Sequence, residues 1–124
     1  MSKPTVAIVG ASNDRAKFGN KAVRAFLEEG YDVYPVHPTE PLVEGLKAYR
    51  SVLDIPVPLD KVSLYVQPRV GMQVIADVAK KGCREVWLNP GADSPELYEK
   101  ALLLGLNPIV ACSIVGVGAD PSEL

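Results

Sequence analysis

A chain of 124 residues, 48% apolar and 23% charged, is sized for one globular domain with its own core and is too short for two; disordered and fibrous classes are excluded. A formal charge of −2 and a pI near 5.4 provide no basic field for a polyanion, so nucleic acid is not an expected partner and any phosphate site must be local. Met1-Ser2-Lys3-Pro4 carries no secretory pattern, and no apolar run approaches the length of a membrane span. A cytoplasmic protein without membrane contact is expected. Cys83 and Cys112 make no disulfide framework, and His37, the single histidine, gives poor support to a metal site.

Thr5-Val-Ala-Ile-Val9, ended by Gly10, is a continuous β-rich apolar run of the kind buried on both faces of a parallel sheet. From Asn20 to Glu29, Ala22, Val23, Phe26 and Leu27 fall at helical spacing, with Gly30 as the stop. Asp32–Val36 is the second strand; its Pro35 is tolerable only where the ladder does not need the missing N–H. The stretch 37–61, broken by Pro38, Pro41, Pro56 and Pro58, reads as a surface crossover with at most a helical turn near Ser51–Ile55.

Val62–Val66 is the third strand, and Val70, Val74, Ile75, Val78 and Ala79 form the stripe of a helix running to Lys81. Glu85–Leu88 is the fourth strand. Ser94 and Pro95 open a helix whose buried face is Leu97, Ala101, Leu102 and Leu104. Asn107–Ala111 is the fifth strand, and the pattern of the tail from Ser113 places no element. Strands alternating with helices imply one α/β domain over residues 1–124, Rossmann-like, with a five-stranded parallel sheet in the order 3-2-1-4-5 and helices on both faces.

In such a sheet a ligand lies beyond the carboxyl ends of the strands, so the loops after Val9, Val36, Val66, Leu88 and Ala111 are the places to look. The first runs from Gly10 to Gly19. Small Gly10 and Ala11 let backbone N–H groups approach an anion at the positive end of a helix, Ser12 adds a hydroxyl, and Arg15 or Lys17 a charge. The spacing is not the dinucleotide fingerprint, and the second strand ends in Val36-His37-Pro38 without the carboxylate that binds a ribose hydroxyl in NAD sites. Val36 and Pro38 suit the flanks of an adenine, and His37 a ribose phosphate or a loop without a role.

Gln67-Pro68-Arg69 offers an amide, a rigid wall and a guanidinium, although Arg69 equally suits a solvated helix start. Asn89 can hydrogen-bond a ligand or shape the turn Asn89-Pro90-Gly91-Ala92. Cys112 lies on the ligand edge but lacks the base that activates a thiol. No nucleophile elbow, Walker loop or carboxylate pair is present in the sequence, and no catalytic residue is assigned.

Together, Val-Ala-Ile-Val-Gly-Ala-Ser at 6–12, Lys-Phe-Gly at 17–19, Gly30 to Pro38 and Val86 to Gly91 resemble the small stand-alone coenzyme A-binding domain proteins. The domain is also similar to the amino-terminal part of the succinyl-CoA synthetase α subunit and of acyl-CoA synthetases. The resemblance implies that Gly10, Ala11, Ser12 and Lys17 hold the CoA phosphates, that Val36, His37 and Pro38 lie by the adenosine, and that Val66, Gln67 and Pro68 close the other side. Two departures stand out: Asn89 where that family often has Gln, and Val110-Ala111 where it has Asp-Arg before the cysteine. The leading reading is a module that binds CoA or acyl-CoA without catalysis of its own. The others are an NADP-dependent enzyme or redox sensor, and an interaction module with a vestigial pocket; the sequence names no protein partner.

Overall fold

The computed structural model describes residues 3–124. Strand β1 (Thr5–Val9) buries Val6 to Val9 without a break, as a strand covered on both faces must. Helix α1 (Phe18–Glu28) follows, and β2 (Asp32–Val36) returns parallel to β1. The crossover contains no α-helix. A hairpin of β3 (Leu42–Val43) and β4 (Leu46–Lys47), not anticipated from the sequence, turns at Glu44-Gly45, both with positive φ. Beyond a 3-10 turn at Val52–Asp54 lie β5 (Leu59–Leu64), α2 (Pro68–Lys81), β6 (Cys83–Leu88), α3 (Pro95–Leu103), β7 (Pro108–Val110) and a short α4 (Ser113–Gly116).

The fold is the expected Rossmann-like α/β arrangement of five parallel strands with helices on both faces. The order is β2-β1-β5-β6-β7. Counted along the chain over these five strands it is 2-1-3-4-5, where 3-2-1-4-5 was expected: the third sheet strand lies against β1, not outside β2. Pro35 supplies the reason. Its carbonyl accepts from Tyr49 N–H at 2.9 Å on the outer side of β2, so the nitrogen without hydrogen faces outward too. A full strand pairing there would lose a ladder bond, so β2 belongs at the edge.

Alternation along the strands divides the core. Val6 and Ile8 face α1 and α4, packing with Ala22, Val23, Phe26 and Ile114. Ala7, Val9, Val62, Leu64, Val86 and Leu88 face the other way, where α2 and α3 contribute Ile75, Val78, Leu97 and Ala101. Ser94 caps α3 as expected, its hydroxyl accepting from Leu97 N–H at 3.1 Å. The expected burial of Leu102 and Leu104 is not observed: they are 50% and 42% exposed, since the buried face of α3 carries Leu97 and Ala101, Leu102 turns one position away from it, and Leu104 is the C-cap beyond the helix.

Candidate functional site

The strand order sets the switch point between β1 and β5, with α1 leaving toward one face of the sheet and α2 toward the other. A cleft of about 460 Å³ opens there, within the usual range for small-molecule sites. Four of the five expected loops line it. They bring Gly10, Ala11, Ser12, Lys17, Phe18 and Gly19 from the first, His37 and Pro38 from the second, Tyr65 to Gln67 from the third, and Pro90 to Ala92 from the fourth.

The first loop is shaped by contacts that tolerate only glycine. Gly10 has φ +90°, and a Cβ built there would run into the carbonyl oxygen of Tyr65; one built at Gly19 would run into the carbonyl oxygen of Gly10 itself. The start of α1 is thereby pressed against the end of β1. Lys17, at the N-cap, gives no side-chain hydrogen bond, and the first turn holds no acidic residue. The opening N–H groups of Phe18 and Gly19 therefore have no acceptor among the described residues, and both residues line the cleft. Ser12 Oγ accepts from Asp14 N–H at 3.0 Å, which leaves its hydroxyl proton free to donate.

The hairpin braces this loop from outside. Asn13 Nδ2 donates to Leu42 O at 2.9 Å and its Oδ1 accepts from Glu44 N–H at 3.1 Å. Fully buried Asn20 donates to Ser12 O at 2.8 Å and to Glu44 Oε2 at 2.9 Å. Arg15 turns to this side as well, 3.8 Å from Glu44, and does not reach the cleft. Its side chain is 66% exposed, so the pair with Glu44 leaves most of it in solvent.

His37 Nδ1 accepts two backbone N–H groups, from Thr39 at 3.0 Å and Glu40 at 2.9 Å, so the ring proton sits on Nε2 as a donor. Val36 is buried in the sheet and lines a separate small pocket, and Pro68 opens α2 as its first residue outside the cleft wall.

Asn89 is placed differently from its expected ligand role. Its Nδ2 donates to Ser63 Oγ and to Leu64 O, both at 2.8 Å, and its Oδ1 accepts from Ser113 N–H at 2.8 Å. Every polar atom of that side chain is engaged inside the protein. The intervening β5 explains this: in the order 3-2-1-4-5 the fourth sheet strand would border β1, whereas here Asn89 is one strand further away and ties β6 to β5. The fifth loop is absent from the cleft as well, and Cys112 instead occupies the N-cap of α4.

Sequence reasoning passed over Phe18, Tyr65, Asn13 and Asn20. Phe18 is 52% exposed at the cleft, an apolar side chain facing water at a helix start. The Tyr65 hydroxyl lies 3.0 Å from Ser113 Oγ, and burial pushes its pKa up to about 12 against the pull of hydrogen bonds from Ser113 and Ser63. Among the described residues no cluster of His, Cys, Asp and Glu is arranged to hold a metal, and no helix is long and apolar enough to cross a membrane.

Fold and cleft define a Rossmann-like domain with an anion-accepting loop at its switch point. The CoA binding domain family matches residues 4–117, and the chain belongs to that family. The α subunit of an ADP-forming acetate–CoA ligase II from Pyrococcus furiosus is 37% identical over 82 residues, which is 65% of this chain and 18% of that one. The chain spans only 11–19% of the length of the ADP-forming CoA ligases it matches. Among solved structures, a conserved hypothetical protein from Pyrococcus furiosus superposes with a TM-score of 0.81 at 33% identity, covering 93% of this chain and 99% of that one. A hypothetical protein from Pyrococcus horikoshii gives 0.83 at 39% identity, covering 89% and 78%.

Proposed function

We propose that the protein binds coenzyme A or an acyl-CoA in the cleft between the ends of β1 and β5, as a binding or regulatory module without catalysis of its own. One observation carries the reading: the contact of Gly19 with Gly10 gathers the free N–H groups of Phe18 and Gly19, the Ser12 hydroxyl and the Lys17 ammonium around a single cleft. That donor set suits a diphosphate at the positive end of a helix. Membership of the CoA binding domain family selects CoA among nucleotides.

The adenosine is assigned to the side of His37 and Pro38, and the pantetheine arm to the walls formed by Gln67 and Pro90 to Ala92. When bound, CoA supplies a thiol or thioester. The residues of this chain bind and orient it. The ionisable side chains on the cleft support that division of labour. Lys17 is an exposed cation, His37 Nδ1 is occupied by backbone donors, and the Tyr65 hydroxyl is turned to Ser113. The ligase activity in the relatives' names belongs to much longer chains, and none of its steps is assigned to this one.

Calorimetric titration of ligand-stripped protein with CoA, dephospho-CoA, NAD and NADPH at one salt concentration tests the reading. Micromolar CoA binding with no response to either nicotinamide cofactor is expected. Heat with NADPH and none with CoA would replace it by an NADP site, and silence from all four would leave an interaction module.

A further inference from the structure

Arg50, like Lys17, is a basic side chain near the cleft that forms no ion pair or side-chain hydrogen bond among the described residues. The segment around Tyr49 runs parallel to β2 along its outer edge: Val36 pairs with Tyr49, and His37 N–H donates to Tyr49 O at 2.9 Å. One residue further on, the same register carries the Arg50 backbone to the level of His37, which lines the cleft, while Arg50 itself lines the neighbouring pocket and not the cleft wall. Arg50 is exposed, and among the described residues it forms no ion pair. It lines a small pocket of about 70 Å³ with Val9 and Val36, the residues immediately before Gly10 and His37 of the cleft.

We infer that Arg50 is the residue that reads a phosphate on the ribose of the bound nucleotide, with His37 Nε2–H as its neighbour; this rests on the cleft being a CoA site. In this topology the ribose lies at the end of the second strand, where a carboxylate takes a free hydroxyl and an arginine accommodates a phosphorylated one. Here that strand ends in Val36-His37-Pro38 with no carboxylate, and the nearest cation in register is a guanidinium. Its planar fork suits phosphate oxygens better than an ammonium does. Asp77 lines the same small pocket and repels an anion from it, so the phosphate belongs on the His37 side of Arg50, at the cleft. The 3′-phosphate of CoA is the group this arrangement selects.

The test is titration of wild type and Arg50→Gln with CoA and with dephospho-CoA. Wild type is expected to prefer CoA. The variant should bind CoA on the order of tenfold or more weakly and dephospho-CoA unchanged, so that the preference collapses. Unchanged dephospho-CoA binding also shows that the variant is folded. Equal losses for both ligands, or full CoA affinity in the variant, would overturn the role of Arg50 while leaving CoA binding itself intact. Failure of wild type to bind either ligand would instead defeat the underlying reading, and this one with it.

Discussion

The two faces of the sheet are built on different principles, and the cleft depends on the difference. On the side of α2 and α3, β5 and β6 present Val62, Leu64, Val86 and Leu88, all fully buried in one apolar cluster. On the side of α1 and α4 the same strands present Lys61, Ser63 and Tyr65, and Glu85, Trp87 and Asn89. Lys61 Nζ there lies 5.2 Å from the Tyr31 ring centroid, 5.6 Å from that of Trp87 and 3.9 Å from Glu85. Ser63, Tyr65, Asn89 and Ser113 form a continuous hydrogen-bonded group. Along β5 and β6 the apolar side supplies non-directional stability and the polar side supplies register, fixing the end of β5 to the end of β6 just below the cleft walls at Tyr65–Gln67 and Pro90–Ala92, while β1 keeps an apolar core of Val6 and Ile8 on that second side as well.

Truncation on the apolar face should have the largest effect on folding. Leu97 is fully buried, and its Cδ2 would lie 2.9 Å from a Cβ at Gly71, so α3 packs closely on α2 at this point. Leu97→Ala is expected to lower stability by about 4 kcal/mol through lost transfer energy and an unfilled cavity. Urea unfolding would measure it. Nucleotide affinity of the folded fraction should stay unchanged, because no residue of either helix is among those lining the cleft. Asn89→Ala probes the other face. It strips Ser113 N–H of its acceptor and Leu64 O and Ser63 Oγ of a donor in a buried setting, for an expected loss of about 3 kcal/mol. Unlike Leu97→Ala, it should weaken CoA binding as well, since the two walls lose their tie; equal binding by both variants would dissolve the distinction between the faces.

A pH experiment sharpens the same contrast. Tyr65 titrates from about 12 in the fold against an ordinary 10, chiefly because burial disfavours the phenolate. The neutral form is thus favoured in the folded state, its contribution is complete below pH 10, and it is lost as pH rises from 10 to about 12. A shift of this size corresponds to about 3 kcal/mol. Cys83, which packs against the apolar cluster, is pushed by burial to about 11 from 9.0 and loses its contribution over that earlier window. Tyr65→Phe should therefore flatten the later part of the alkaline stability loss and leave the earlier part, as followed by unfolding midpoints between pH 8 and roughly 12. An unaltered late slope would mean that the phenol does not govern it.

What could be read from the sequence follows the same division. The buried strands, the helical stripes and the glycine loop are local patterns, and each was legible because adjacent residues carry it. Strand order was not: parallel strands joined by crossovers can lie on either side of one another, and the decisive clue, Pro35, speaks only of which edge of β2 can go unpaired. Asn89 was illegible for a related reason, since its partners lie 24 to 26 residues away; Asn20 likewise reaches Glu44, 24 residues on, besides its nearer partners Ser12 and Arg24, and a polar side chain by itself does not announce such contacts. Strands of two residues, as in the hairpin, are too short for alternation to register. The pairing of Arg15 with Glu44 of that hairpin is likewise carried by no local pattern.

Lys17 lies on neither face, and its expected effect on stability is the smallest. Its side chain is exposed and has no ion pair among the described residues, so Lys17→Ala should leave the unfolding midpoint within about 0.5 kcal/mol of wild type. Binding should respond more. Loss of one charge-assisted contact to a CoA phosphate is expected to weaken affinity by roughly 1–3 kcal/mol, and the salt dependence should shrink with it. The size of the loss separates two ways of holding a diphosphate. If affinity and its salt slope barely change, the backbone N–H groups of Phe18 and Gly19 and the helix dipole hold the anion alone, and the lysine is only a solvated N-cap. If the full loss appears with an unchanged midpoint, the loop supplies the geometry and Lys17 the charge, so affinity can be tuned at the cleft without disturbing either face of the sheet.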